Sequence, residues 1–352
     1  MSNRSADPPR RPWGASVLAS AAGAAAAVLV ALAIWAGSRG LRTFDAALVG
    51  YATATVFLAF GVIYRYVVWV SSPPARRYLR AGWRAFLSWR NFRRFPTAVP
   101  RAVVGYLGFQ TFLRARGRGR WIAHQLLFWG VVLATLITFP LTFGWLAFVS
   151  DEATGPTYTI YLLGFRTVSF DALSLLGWVV FHGLDLAAVM VLAGCGWFLW
   201  RRFRDREATT GQRFGYDFFP LVGLVAISVT GLLLTFSSWL LDGRSYDFLA
   251  IAHMATVVLT LVFIPFGKFF HVIQRPASLG VDLYKRTEAE RAGIQACRRC
   301  GEPLEARTFV ADLEQTMDEL ALGFAGWVET CPRCKRLQRG AAYLDTVKRG
   351  FR

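Results

Sequence analysis

Six runs of apolar residues, at about 14–37, 45–70, 121–148, 171–200, 216–241 and 247–272, are each long enough to cross a bilayer core roughly 30 Å thick. Lipid offers no partner to a bare backbone N–H or C=O, so runs of this length admit helices. The expected fold is an all-α polytopic membrane protein, a bundle of about six transmembrane helices. Composition agrees: of 352 residues 55% are hydrophobic and only 18% charged, and the mean hydropathy is +0.38. The first run, AGAAAAVLVALAIWAG, follows a basic start and is rich in small residues, so it reads either as an extra N-terminal span or as a cleaved signal peptide.

Arginine sets the expected orientation. Twelve arginines lie between Pro74 and Arg120, and the 201–213 loop adds Arg201, Arg202, Arg204, Arg206 and Arg213. Both segments belong on the cytoplasmic side, while the loops around Asp151 and Glu152 and around Asp242 and Asp247 fall outside. The chain is then a multi-pass protein of the cell inner (cytoplasmic) membrane with a cytoplasmic C-terminus. The net charge of +18 is explained by this asymmetry and by anionic lipid headgroups, and no nucleic acid is needed to account for it. Within the first basic loop Leu79, Trp83, Phe86 and Leu87 share a helical face, as in a helix lying in the headgroup plane or one docking a partner.

All four histidines fall in or at the edge of the apolar runs. His253 and His271 bracket HMATVVLTLVFIPFGKFFH, and 18 residues of unbroken helix are five turns and about 27 Å of rise, which puts both on one face. Counted from the basic ends, His124 and His271 lie at the inner surface, and His182 and His253 lie about 27 Å outward. Two pairs of neutral imidazoles, each drawn from two helices, match the axial ligation of two b-type haems, and no C-x-x-C-H for covalent attachment occurs. A single intramembrane histidine taken alone reads first as a hydrogen-bonding partner between helices, and it is the four together that point to ligation. Gly130, Gly183, Gly194, Gly196, Gly223 and Gly231 would give the close packing that such rings need, and Arg120, Lys268, Arg275, Arg166 or Arg244 could meet propionates or snorkel.

The ending IPFGKFFH, with the spacing of His253 and His271, resembles the last helix of di-haem cytochrome b subunits similar to the respiratory nitrate reductase gamma subunit. The resemblance covers roughly residues 45–275. It implies a five-helix di-haem core, here with an extra N-terminal span, that oxidises quinol and passes electrons to cytoplasmic iron–sulfur and molybdenum-type catalytic subunits. The chain departs from that family in placing His124 and His182 on successive helices, in its first span and in its long tail. Quinol chemistry needs a proton-exchanging group beside a haem. Asp185, three residues after His182, is the first candidate and Lys268 the second, although Asp185 reads as well as a hydrogen-bond acceptor for a histidine or a neighbouring helix.

The tail carries CRRCG at Cys297–Gly301 and CPRCK at Cys331–Lys335. Cys297, Cys300, Cys331 and Cys334 make two knuckles able to close one tetrahedral site, as in zinc ribbons and in rubredoxin. Zinc is favoured over iron, because the intervening segment, helical in pattern at FVADLEQTMDEL, lacks the aromatic residues expected round a rubredoxin iron. Cys195 stands alone in an apolar run as a core residue.

The chain thus divides into 1–44 (N-terminal segment and first span), 45–275 (a cytochrome b-like membrane domain with the 74–120 basic loop) and 276–352 (the cysteine tail). The expected function is electron transfer between the quinone pool and a cytoplasmic oxidoreductase partner through two bis-histidine haems. The alternative is a haem-free membrane anchor or transporter whose zinc tail docks a partner. No flavin or nicotinamide fingerprint accompanies the histidines, which tells against a ferric-reductase-like cytochrome.

Overall fold

The computed structural model describes residues 13–42, 44, 48–150, 156–204, 214–323 and 326–350. Asp151, Glu152, Arg206 and Arg213 lie outside the described residues. Numbering only the longer helices, the membrane-length ones are α1 (Trp13–Gly37), α2 (Val49–Ser71), α4 (Arg118–Thr142), α5 (Leu175–Arg204), α6 (Phe219–Leu240) and α7 (Tyr246–Phe263), with α3 (Pro73–Leu87) between the second and third. Among the described residues six helices are long and apolar enough to cross a membrane, as the sequence predicts. The C-terminal part holds α8 (Leu279–Ala292), α9 (Arg307–Glu319) and α10 (Pro332–Gly350).

Of the described residues, those within 18–65 and 109–272 form one compact unit, and those within 13–17, 66–108 and 273–350 form another. Where the sequence keeps the 74–120 loop with the membrane domain, the structure groups most of it with the tail.

In the first unit, small residues set how closely helices approach. A Cβ on Gly194 of α5 would lie 2.7 Å from the carbonyl of Ala123, and one on Gly130 of α4 would lie 2.9 Å from that of Ala187. A Cβ on Gly183 would meet Ile137 at 2.8 Å, so α4 and α5 run antiparallel in close contact along their length. Val191, Cys195 and Leu221 form the buried junction of α5 with α6, and Gly223 lies against Thr260 where α6 meets α7. These glycines serve helix contact; only Gly231 faces an imidazole, that of His253, while Gly196 has open space before it.

Two features of the first unit differ from the sequence expectation. Between α4 and α5, β1 (Leu146–Ser150), β2 (Thr157–Leu162) and β3 (Phe165–Asp171) form an antiparallel sheet in the order β1-β2-β3. Leu163 and Gly164 turn its second hairpin, both at positive φ (50° and 85°), as a tight turn between right-twisted strands requires. Phe148, Tyr158 and Phe170 pack this sheet on Phe181 of α5. The alternation in TYTIYLLGFRTVSF carried the signal.

The last apolar run is the second difference. It is not one helix from His253 to His271: α7 ends at Phe263, a single 3₁₀ turn spans Lys268–Phe270, and a new short helix starts at His271. Pro265 has no N–H to give the ladder, and Gly267 is extended at φ −92°, ψ −170°. The guanidinium of Arg65 on α2 takes over at the break, donating to the carbonyls of Pro265 and Gly267 and lying 4.3 Å from the ring centre of the buried Phe270. Arg65→Leu strands two carbonyls in an apolar setting. We expect about 2–3 kcal/mol of destabilisation, read as an earlier thermal midpoint in detergent; an unchanged midpoint would show that water satisfies them.

In the second unit, α3 buries Leu79, Gly82 and Ala85. Its apolar face therefore meets protein, the chain's own α8, at a crossing where Gly82 and Gly280 touch backbone to backbone. Trp83 and Leu87, which the sequence places on that face, stay exposed. Arg77 reaches from α3 to α9, donating to the Asp312 carbonyl (3.0 Å) and Thr316 Oγ1 (2.6 Å) and pairing with Glu319. Tyr78 of α3 and Tyr284 of α8 both pack on Phe309, and the Tyr284 hydroxyl donates to Asp312 at 2.7 Å.

Candidate metal centre

The antiparallel hairpin of β4 (Ile294–Ala296) and β5 (Pro303–Ala306) carries the first knuckle. Cys297 N–H donates to the Glu302 carbonyl and Gly301 N–H to that of Cys297, with Gly301 at φ 73° closing a turn that places Cys297 and Cys300 on one side. The second knuckle is the first turn of α10, where Cys334 follows Cys331 at helical spacing and Lys335 N–H donates to the Cys331 carbonyl. The structure brings all four predicted ligands together: their Sγ atoms lie within 4.8 Å of one another, and Cys300 and Cys331 are 3.6 Å apart. Four zinc–sulfur bonds of about 2.3 Å at tetrahedral angles need sulfurs about 3.8 Å apart, so the donor set fits a tetrahedral S4 ion such as zinc.

The surroundings suit thiolates. Cys331 N–H points at Cys297 Sγ (3.3 Å) and Cys334 N–H at Cys331 Sγ (3.4 Å). Backbone N–H groups of Cys331, Cys300 and Arg299 pull the Cys297 thiol down to about 6. Cys334 is pushed up to about 12, by burial first and then by the neighbouring sulfurs. Four clustered thiols cannot all ionise against one another; a dication in their midst removes that conflict. None of the cysteines is in a disulfide, and Leu304 packs over three of them.

The histidines are placed differently from the cysteines. His182 lies between Trp178 and Trp239, with ring centres 5.2 and 4.9 Å away. Its Nδ1 is 3.2 Å from Asp185 Oδ2, and Asp185 Oδ1 accepts from Thr235 of α6 at 2.8 Å. Both carboxylate oxygens are therefore engaged, and Asp185 ties α5 to α6. Asp185→Leu removes both bonds; the expected cost is about 1–2 kcal/mol by thermal denaturation in detergent, and no shift would mean the tie is idle. His253 Nδ1 lies 2.9 Å from Thr230 Oγ1, also on α6.

These contacts fix the heights. On α6, His253 meets Thr230, whereas His182 and its carboxylate meet Trp239 and Thr235, five to nine residues further along, or about 7–14 Å. Two imidazoles on one metal ion need their nitrogens within about 4 Å, with bonds of about 2 Å each. Among the described residues no contact joins His182 to His253: on α6 the one meets Trp239 and the other Thr230. His124 on α4 stands edge-on to Phe198 of α5, 6.5 Å between ring centres. His271 is exposed beyond the break and its Nδ1 meets the Lys268 carbonyl at 2.7 Å. Lys268 itself pairs with Asp217, 2.7 Å away at the start of α6's approach.

No protein family, curated protein or solved structure matches the chain. Its functional reading rests on the residues themselves. Sequence reasoning found the four ligands but missed Thr230, Thr235, Asp217 and Arg65. The signal was there for Arg65, an arginine deep in an apolar run with no partner nearby in sequence.

Proposed function

We propose that the chain is a multi-pass membrane anchor that presents a zinc-bound docking module to a protein partner on the cytoplasmic side. One observation carries this reading: the four-sulfur cluster, whose geometry suits a structural ion with every position taken by protein, leaving no open position for chemistry on a substrate. Zinc would be held by Cys297, Cys300, Cys331 and Cys334 and would fix the hairpin to α10. The orientation follows from the arginine-rich loops. The His253–Thr230 and Asp185–Thr235 bonds act between helices in such a protein.

A second reading is favoured by the location of every histidine on or beside an apolar span: a cytochrome b that passes electrons between quinone and a cytoplasmic iron–sulfur and molybdenum-type partner through two haems, as the IPFGKFFH resemblance implies. One measurement separates the two. Full-length protein purified from haem-replete cells is reduced with dithionite and assayed for metal. About one zinc per chain and no b-type α-band are expected; an α-band with two haems per chain would overturn the anchor reading.

A further inference from the structure

The face of α3 turned away from α8 has a composition that its own fold does not explain. Arg76, Arg80 and Arg84 follow at intervals of four and stand one above the other in a single stripe, and α3 contains no acidic residue. Like charges at this spacing repel by a few tenths of a kcal/mol per pair. Among the described residues no ion pair engages any of the three, because the carboxylate facing them, Glu319, is taken by Arg77. The stripe forms one wall of a cavity of about 340 Å³, whose charged lining is Arg76, Arg77, Arg80, Arg84 and Glu319, with Pro73 and Ala81 beside them. The net charge of that lining is +3, from four arginines and one glutamate.

We propose that this cavity binds the phosphate headgroup of an anionic phospholipid. Guanidinium forks match phosphate oxygens in pairs, so three free arginines present more donors than one phosphate needs and favour a headgroup with a second polar group. A cavity of this volume holds a glycerophosphate headgroup but not a folded partner. The positive end of a 15-residue helix, begun by Pro73, adds to the attraction. The source of the phosphate is set by chain position. The apolar helix α2 ends at Ser71, and Arg76 follows five residues later, past the extended Ser72 and in the first turn of α3, within reach of the headgroup layer at the end of a span. With the apolar face of α3 covered by α8, the arginine stripe is the side left to meet lipid.

The test uses the full chain in a neutral detergent, titrated with short-chain phosphatidylglycerol, the matching phosphatidylcholine, or inorganic phosphate, with bound lipid counted by native mass spectrometry. We expect saturable retention of phosphatidylglycerol by the wild type and little of phosphatidylcholine. Each of Arg80→Gln and Arg84→Gln weakens it about fivefold, and the pair together by more than tenfold. Arg80→Lys keeps the charge and loses the fork, so it falls between. Arg339→Gln, the same loss of charge on α10, leaves retention unchanged. Equal retention by wild type and the double variant, or an equal loss in Arg339→Gln, would overturn the site. Binding of inorganic phosphate as tight as that of the lipid would overturn the lipid as its ligand.

Discussion

Cys331→Ser abolishes metal binding and unfolds the knuckle region of the tail. Cys331 is 1% exposed, takes the N–H of Cys334, and sits 3.6 Å from Cys300, so its sulfur is a buried vertex of the cluster. Apart from the sulfurs the two knuckles are tied by Arg298, whose N–H donates to the Glu329 carbonyl and whose guanidinium pairs with the Glu329 carboxylate; the first stands on a two-stranded hairpin with three- and four-residue strands, and the second on the first turn of α10. Metal binding in sites of this kind is folding free energy, of order 10–16 kcal/mol for zinc-finger peptides near neutral pH, and a three-sulfur remnant keeps only part of it. Elemental analysis is expected to fall from about one metal per chain to near zero, and limited proteolysis to cut between residues 297 and 334 in the variant and in the chelated wild type alike. A variant that keeps its metal and its resistance would show that the sulfur cluster is not the site. The identity of the ion in the wild type decides between zinc and iron, since both accept the same tetrahedron.

Gly280→Val carries the second large effect. The helices α3 and α8 cross where a Cβ on Gly280 would lie 2.1 Å from the carbonyl oxygen of Gly82, and one on Gly82 would lie 2.8 Å from the amide of Val281. Both obstacles are backbone, which cannot rotate aside as a side chain can, so the helices must separate. Separation uncovers Leu79, Leu279 and Leu283, each less than a tenth exposed now. It also strains the Arg77 bonds to Asp312, Thr316 and Glu319. Overpacking costs typically 1–3 kcal/mol and more where backbone meets backbone; about 3 kcal/mol or more is expected here. The readout is protease sensitivity of the α3–α8 pair together with the thermal midpoint. An undisturbed midpoint would mean the crossing is looser than its geometry implies.

Much of this architecture was legible because membranes simplify the problem. A span must be apolar for about 20 residues and must be helical, so six of them could be marked by composition alone, to within a few residues at most ends. The cysteine site was legible for a similar reason: two C-x-x-C pairs have few ways to be near one another, and the structure puts all four sulfurs within 4.8 Å. The headgroup-or-partner question over α3 had no answer in the sequence, because an apolar face looks the same whether lipid or α8 covers it.

Heights within the membrane were the harder matter. Counting 18 residues from His253 to His271 presumes one straight helix, and the Pro265–Gly267 break removes that premise. Matching His182 to His253 presumes that neighbouring helices start level. In the structure the contacts of Asp185 with Thr235 and of His253 with Thr230 set the offset instead. The sequence by itself determined which segments are long and apolar enough to cross a membrane and which four cysteines come together where a metal ion could be held, since hydropathy and ligand spacing are local quantities. Only the tertiary structure decided the register of α5, α6 and α7, the burial of α3 on α8 and the partner of Arg65. Each of these depends on which small residues let two backbones come close, and that is a property of a pair of helices that neither helix carries alone.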